Sequence, residues 1–117
     1  MSVTDIKAEE LRLKSGEEGL VFQGCGGVVK EWVEGINKLL KNEQILKNGT
    51  ELDKCYRFEN HGLTNLYFPF GNAELDMGKL AIWRIKARPI FGCMWFSDYV
   101  DNYLGGFIDQ PIEQTQA

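Results

Sequence analysis

The chain has 117 residues, 44% of them apolar and 26% charged, with a formal net charge of −4 and a pI near 5.0. This is enough chain for one domain with a real core, too ordinary a composition for a disordered protein, and too acidic for a general nucleic-acid binder. Its longest apolar runs, such as Leu80-Ala81-Ile82-Trp83, are too short to span a bilayer, and the polar start Met1-Ser2-Val3-Thr4-Asp5 has no signal-peptide core, so a cytoplasmic single domain is expected over residues 1–117.

In chain order, the polar stretch from Met1 to about Ala8 reads as loose. Glu10 to Lys14 alternates polar and apolar residues, Ser15-Gly16-Glu17-Glu18 is turn chemistry, and Gly19 to Gln23 is a short apolar run. Together these read as a β-hairpin. From Gly27 the period turns helical: Val29, Trp32, Val33, Ile36, Leu39 and Leu40 recur at spacings of three and four, with charges on the other side, which predicts a long amphipathic helix. Asn48-Gly49 ends that region. Cys55 to Glu59 and Leu63 to Phe68, joined by Asn60-His61-Gly62, read as paired strands, with Pro69 closing the second or placing it at an edge.

Lys79 to Ala87 sorts by parity. Odd positions Ala81, Trp83, Ile85 and Ala87 form an apolar face, and even positions pass from Leu80 and Ile82 to Arg84, Lys86 and Arg88, which predicts a strand lying on a core by one face. Phe91 to Phe96 follows as a further strand candidate. Ser97 reads as an N-cap, with Asp98 in the first turn of a short helix ending at Gly105-Gly106, and Phe107 as its terminating hydrophobic contact. Gln110 to Ala117 is polar and reads as loose. The fold class expected is therefore α+β: a mainly antiparallel sheet of four to six strands against one long helix, with a short C-terminal helix and an ordered core over about residues 9–108.

Three patterns could carry chemistry. In Gln23-Gly24-Cys25-Gly26-Gly27, backbone N–H groups at a helix start would favour an anion, and the same field would lower the pKa of Cys25 toward a reactive thiolate. Gly24, Cys25, Gly26 and Gly27 are thus a candidate anion or thiol site, although they match neither the P-loop nor the dinucleotide motif. The alternative is that the glycines make a tight turn and Cys25 is a small buried residue. A thiol enzyme would also need a base, and His61, the only histidine, sits in a turn that sequence cannot place near Cys25. Cys25, Cys55 and Cys93 are an odd number without a C-x-x-C pair, so neither a disulfide framework, a metal site nor a cofactor is expected.

The second pattern is cationic: Lys79, Arg84, Lys86 and Arg88, with no acid between Lys79 and Phe91, while Asp98, Asp101, Asp109 and Glu113 follow without a lysine or arginine. These cations could track a phosphate backbone beside stacking rings, or pair internally with the acidic C-terminal segment. The third is acidic: Glu9, Glu10, Glu17, Glu18, Glu31, Glu34, Glu43, Glu51 and Asp53 give a surface that is either ordinary solvated protein or complementary to a basic groove. No carboxylate pair is spaced for acid–base catalysis.

Eleven of the fourteen aromatic residues lie between Phe58 and Phe107, more rings than a small core is expected to hide. Trp83 with its strand face, and some of Phe68, Phe96 and Phe107, are assigned to the core. Tyr67, Phe70, Phe91, Trp95, Tyr99 and Tyr103 are the candidate partner-binding set.

The runs Gly62 to Phe70, Gly78 to Arg84, Trp95 to Val100 and Gly105-Gly106-Phe107, with Gly19 to Trp32, resemble small proteins similar to the large polyvalent protein-associated domains of plasmids, phages and integrative elements of gut Firmicutes. The resemblance covers most of the chain and brings no catalytic or binding residues. It puts a glycine where this sequence has Cys93, which makes that thiol incidental. It implies an accessory protein of a mobile element. The expectation is a non-enzymatic, anti-CRISPR-like counter-defence factor that binds a host protein, such as a nucleic-acid-binding defence complex. The alternatives are a nucleic-acid-binding module using residues 79–88, and a cysteine-dependent or anion-binding protein at Gly24 to Gly27.

Overall fold

The computed structural model describes residues 1–13 and 17–108. Its centre is a five-stranded sheet built from β1 (Val3–Asp5), β2 (Gly19–Phe22), β4 (Cys55–Asn60), β5 (Leu63–Pro69) and β7 (Cys93–Trp95). The strand order is β1-β4-β5-β2-β7, with β1 parallel to β4 and every other pair antiparallel. A separate two-stranded ribbon joins β3 (Leu46–Lys47) to β6 (Glu74–Leu75). The helices are α1 (Ala8–Leu11), α2 (Val29–Asn42, preceded by a 3-10 turn at Gly26–Val28), α3 (Met77–Phe91) and α4 (Phe96–Tyr103). The protein is α+β, as its sequence predicts.

The β4–β5 hairpin closes through His61 and Gly62, whose φ angles of 52° and 76° are the positive values that a tight two-residue turn compatible with strand twist requires. Glycine takes that backbone without penalty, and a histidine there is uncommon.

Both faces of the sheet are buried, which makes three layers. Leu20, Phe22, Leu66, Phe68, Cys55 and Cys93 point to one side, where Ile36 and Leu40 of α2 and Leu80 and Ala87 of α3 cover them. Val21, Tyr67, Phe58 and Met94 point to the other, under Leu11 of α1 and Phe96, Tyr99 and Val100 of α4. A central strand clad on both sides has no polar face to alternate, and all four residues of β2 are buried.

α2 lies where the helical period predicts. Asn37 on its flank ties down the following loop: its amide nitrogen donates to the Leu52 carbonyl at 2.9 Å, and its amide oxygen accepts from the Leu52 N–H at 2.8 Å. Gly35 sits in the same helix, and among the described residues a Cβ added there would meet nothing within 4 Å beyond its own helix backbone. Gly35→Ala is therefore expected to stabilise the protein by about 0.5–1 kcal/mol, because it removes backbone freedom from the unfolded chain. A urea midpoint that falls would refute this.

Four expectations are corrected. Residues 79–87 are not a strand but the middle of α3. Asp76 caps that helix by accepting from the Lys79 N–H at 3.1 Å, and Gly92, at φ 64°, ends it by donating to the Arg88 carbonyl at 2.9 Å. On a helix Ile85 points to solvent, 63% exposed, instead of sharing a core face with Trp83. The start of the chain is not loose: β1 adds a strand to the sheet, and the Arg57 guanidinium holds both Asp5 oxygens at 2.6 and 3.1 Å, which keeps that carboxyl below its ordinary pKa. The first arm of the expected hairpin is instead α1, which takes in Glu10 and Leu11, while Lys14 to Gly16 lie outside the described residues. Ser97 is not the cap of α4, which begins one residue earlier, after Trp95. Its N–H and hydroxyl both donate to the Glu18 carboxylate, at 3.1 and 2.8 Å, so the anion at the helix start comes from another segment. Phe107 does pack on Phe96, centroids 5.5 Å apart. The stretch Gln110 to Ala117, with Asp109 and Glu113, lies outside the described residues.

Candidate partner-binding surface

The glycine-rich turn does not build a thiol site. Cys25 is 2% exposed, its thiol donates to the Phe22 carbonyl at 3.4 Å, and burial pushes its pKa up to about 11, against the lowering expected from a helix start. Two of the turn's N–H groups are already used: Gly24 donates to the Asn65 side-chain oxygen at 3.3 Å and Cys25 to the Thr64 carbonyl at 2.7 Å. Gly24 takes φ 71°, so the glycine is there for the turn. His61 is exposed at the tip of its hairpin, and Cys25 lies in the core. Gly24, Cys25, Gly26 and Gly27 are thus not assembled as an active thiol centre.

Burial likewise pushes Cys55 and Cys93 up to about 12 each. A thiol whose pKa rises on folding contributes stability that is complete below its unfolded value, near 9.0, and is lost as pH climbs toward the folded value. Urea midpoints are therefore expected to fall between pH 9 and 11. All three thiols should react with a disulfide reagent only on unfolding at pH 8, and rapid labelling of the native protein would contradict their burial.

The aromatic set divides differently from its expected use. Tyr67 is fully buried, stacked on Phe96 at 4.3 Å and on Tyr56 at 5.7 Å, with its hydroxyl donating to the Glu17 carbonyl at 3.1 Å. Tyr99 is 1% exposed, packs edge to face on Phe58 at 5.6 Å, and its hydroxyl accepts from the Asn60 amide at 2.9 Å. Both are core residues and cannot meet a partner as they stand. Phe70 and Trp95 are half-buried against one another. Only Phe91 and Tyr103 of the six reach the surface substantially, at 36% and 38%, and they belong to opposite layers: Phe91 packs on Trp32 of α2, Tyr103 on Tyr99 of α4.

The surface that does gather is on α3. At 100° per residue, Leu80 and Ala87 fall together on the core side, and Ile82 and Ile85 fall on the other. Ile82, Ile85 and Ile90 are 59%, 63% and 71% exposed, unusual for the outer face of a helix. Lys79, Lys86 and Arg88 flank them, all exposed. Among the described residues none of the helix's cations forms an ion pair; Lys79 donates to the Gln44 side chain at 3.3 Å. Arg84 is different: its guanidinium lies over the Trp95 ring, 5.4 Å from the centroid, and its Nε is buried without a hydrogen-bond partner among the described residues. Trp95 and Arg84 therefore engage each other across α3 and β7. Sequence assigned Ile85 to the core face with Trp83 and gave Ile82 and Ile90 no role; a helix template laid over 77–91 is the signal that puts Ile82 and Ile85 opposite Leu80 and Ala87, with Ile90 to the side, next to Trp83.

Among the described residues no group of three or more His, Cys, Asp or Glu side chains is placed to hold a metal ion, and no helix is long and apolar enough to cross a membrane. Comparison of the chain with protein-family models, with curated proteins and with solved structures finds no match.

Proposed function

We propose that this chain is a non-enzymatic interaction protein that docks on a protein partner through the outer face of α3, in keeping with the mobile-element accessory or counter-defence role that its sequence resemblance implies. The observation that carries the reading is the triad Ile82, Ile85 and Ile90 held in water on a well-capped helix. Fully covering an isoleucine is worth about 1.5–3 kcal/mol, so three of them offer a partner several kcal/mol that folding leaves unused. The expected occupant of the whole arrangement is a host protein of a nucleic-acid-binding defence complex, as an anti-CRISPR-like inhibitor would require.

The double variant Ile82→Glu/Ile85→Glu tests this. Both side chains are solvent-exposed, so the fold is expected to tolerate the change with a thermal midpoint within a few degrees. Co-purification of a host partner with the tagged wild-type chain, lost in the variant, is the expected result. Undiminished co-purification with the variant would refute α3 as the docking face.

A second reading is favoured by the cations of the same helix. Lys79, Lys86 and Arg88 without ion pairs among the described residues could bind nucleic acid, now from a helix and with Arg84 engaged by Trp95. Salt-sensitive gel shifts lost in Lys79→Glu/Lys86→Glu would support it. It ranks second because isoleucines between the cations add nothing to a phosphate contact.

A further inference from the structure

α2 and α3 run antiparallel on their face of the sheet. The Asp76 N–H at the start of α3 donates to the Ile45 carbonyl just beyond the end of α2, at 2.8 Å, and Phe91 at the end of α3 closes on Trp32 near the start of α2, ring centroids 4.8 Å apart. Two crevices of about 400 and 340 Å³ meet at Phe91, one walled by α3 with Glu43 and Ile45 just after α2, the other by α2, and together they make a groove along the two helices. Their walls are largely apolar: Trp83 and Ile90 line the larger, and Trp32 and Leu39 the smaller. Their charges are sorted. Lys79 and Lys86 stand at the α3 wall, while Glu43 and Glu31 stand at the α2 side, and α3 itself contains no acid.

We infer that this groove takes an amphipathic helix of a partner protein, one with an apolar stripe flanked by carboxylates on the side that meets α3. The inference rests on the docking reading above and names the chemistry of what docks. Two antiparallel helices of 14 and 15 residues frame a trough of about 20 Å, the length of some four turns, and an apolar trough between helices is the shape an amphipathic helix fills with side chains at i, i+3, i+4 and i+7. The charge sorting fixes the partner's sign on the α3 flank. It also argues against a second copy of this chain: a two-fold contact of α3 on α3 would set a helix whose charged residues are all cations against itself.

Two synthetic helical peptides test the inference: one with leucines at i, i+3, i+4 and i+7 and glutamates along one flank, the other with lysines in place of those glutamates. Each is titrated into the full chain at low salt, with binding read from the emission of Trp32 and Trp83 and from amide shifts in α2 and α3. The glutamate peptide is expected to bind about tenfold more tightly, the yield of two rim ion pairs. In Lys79→Glu/Lys86→Glu the preference should invert. Equal binding of both peptides, or a preference that the double variant leaves unchanged, would overturn the inference. So would chain self-association, or binding to phosphatidylserine vesicles or duplex DNA with no peptide preference. Loss of the co-purified partner in Ile82→Glu/Ile85→Glu together with failure of both peptides would leave α3 as a docking face and remove the acidic helix. Failure of both experiments would remove both.

Discussion

Gly19→Ala is expected to remove a large share of the protein's stability. A Cβ at this position would lie 2.3 Å from the Phe68 carbonyl oxygen, 2.7 Å from Pro69 Cα and 2.8 Å from the Tyr67 ring. Two of these neighbours are backbone, so no rotamer change relieves the overlap. Gly19 pairs with Pro69 at the start of the β2–β5 ladder, and the same ladder sets Leu20 against Phe68, Val21 against Tyr67 and Phe22 against Leu66. Moving β2 away to admit a methyl group disturbs that register, which both cores share. Overpacking that must be absorbed by backbone costs on the order of 3 kcal/mol or more, a large share of the roughly 5–15 kcal/mol that holds a domain together. Gly35→Ala adds the same methyl group where no described residue outside its own helix backbone stands within 4 Å, so the two variants should move the urea midpoint in opposite directions. A Gly19→Ala protein with wild-type stability would mean that β2 can yield without loss.

What the sequence made legible was local. α2 and the β4–β5 hairpin carry their own periods and their own punctuation, and both are found close to where those signals lie. α3 was misread because Ala81, Trp83, Ile85 and Ala87 satisfy a period of two while Leu80, Trp83, Arg84, Ala87 and Phe91 satisfy a helical one. The helical caps are present in Asp76 and Gly92, while Pro89 inside the last turns and isoleucines on the outer face blur the helical pattern. β1 could not be found locally, since its three residues become a strand through pairing with β4 and through the Arg57–Asp5 contact, 52 residues apart.

The density of aromatic residues has a similar explanation. A sheet covered on both faces needs two cores, and the rings divide between them: Phe22, Phe68 and Trp83 on the α2–α3 side, Phe58, Tyr67, Phe96 and Tyr99 on the α1–α4 side. Tyr67 and Tyr99 read as surface residues because they stand next to a turn or on a short helix with polar neighbours, yet each is buried with its hydroxyl partnered. Those partners, Glu17 and Asn60, come from distant segments, which the spacing of the tyrosines does not announce. The thiol expectation failed for a related reason. The helix-start field at Cys25 is a local signal, and burial under α2 and against β5 is a tertiary one that outweighs it.

Phe22→Ala is expected to cost about 3–5 kcal/mol, the range for removing a fully buried ring. Phe22 is 0% exposed and its ring meets three others: Trp32 of α2 stacked at 4.5 Å, Phe68 of β5 edge-on at 5.8 Å and Trp83 of α3 edge-on at 6.3 Å. It thus touches both groove-forming helices from a strand buried on both faces. Its removal leaves a cavity beneath the two tryptophans, and the groove between α2 and α3 loses its fixed floor. The consequence separates this variant from Gly35→Ala and from the α3 surface changes: Phe22→Ala should lower the urea midpoint, shift tryptophan emission, and weaken binding of the glutamate-flanked peptide even where the protein remains folded. Phe22→Leu, which keeps most of the apolar volume, should recover much of the stability. A loss under about 1 kcal/mol in Phe22→Ala, below the range for any well-packed buried ring, would show that the helices are held to the sheet elsewhere, by Ile36, Leu40 and Leu80 alone.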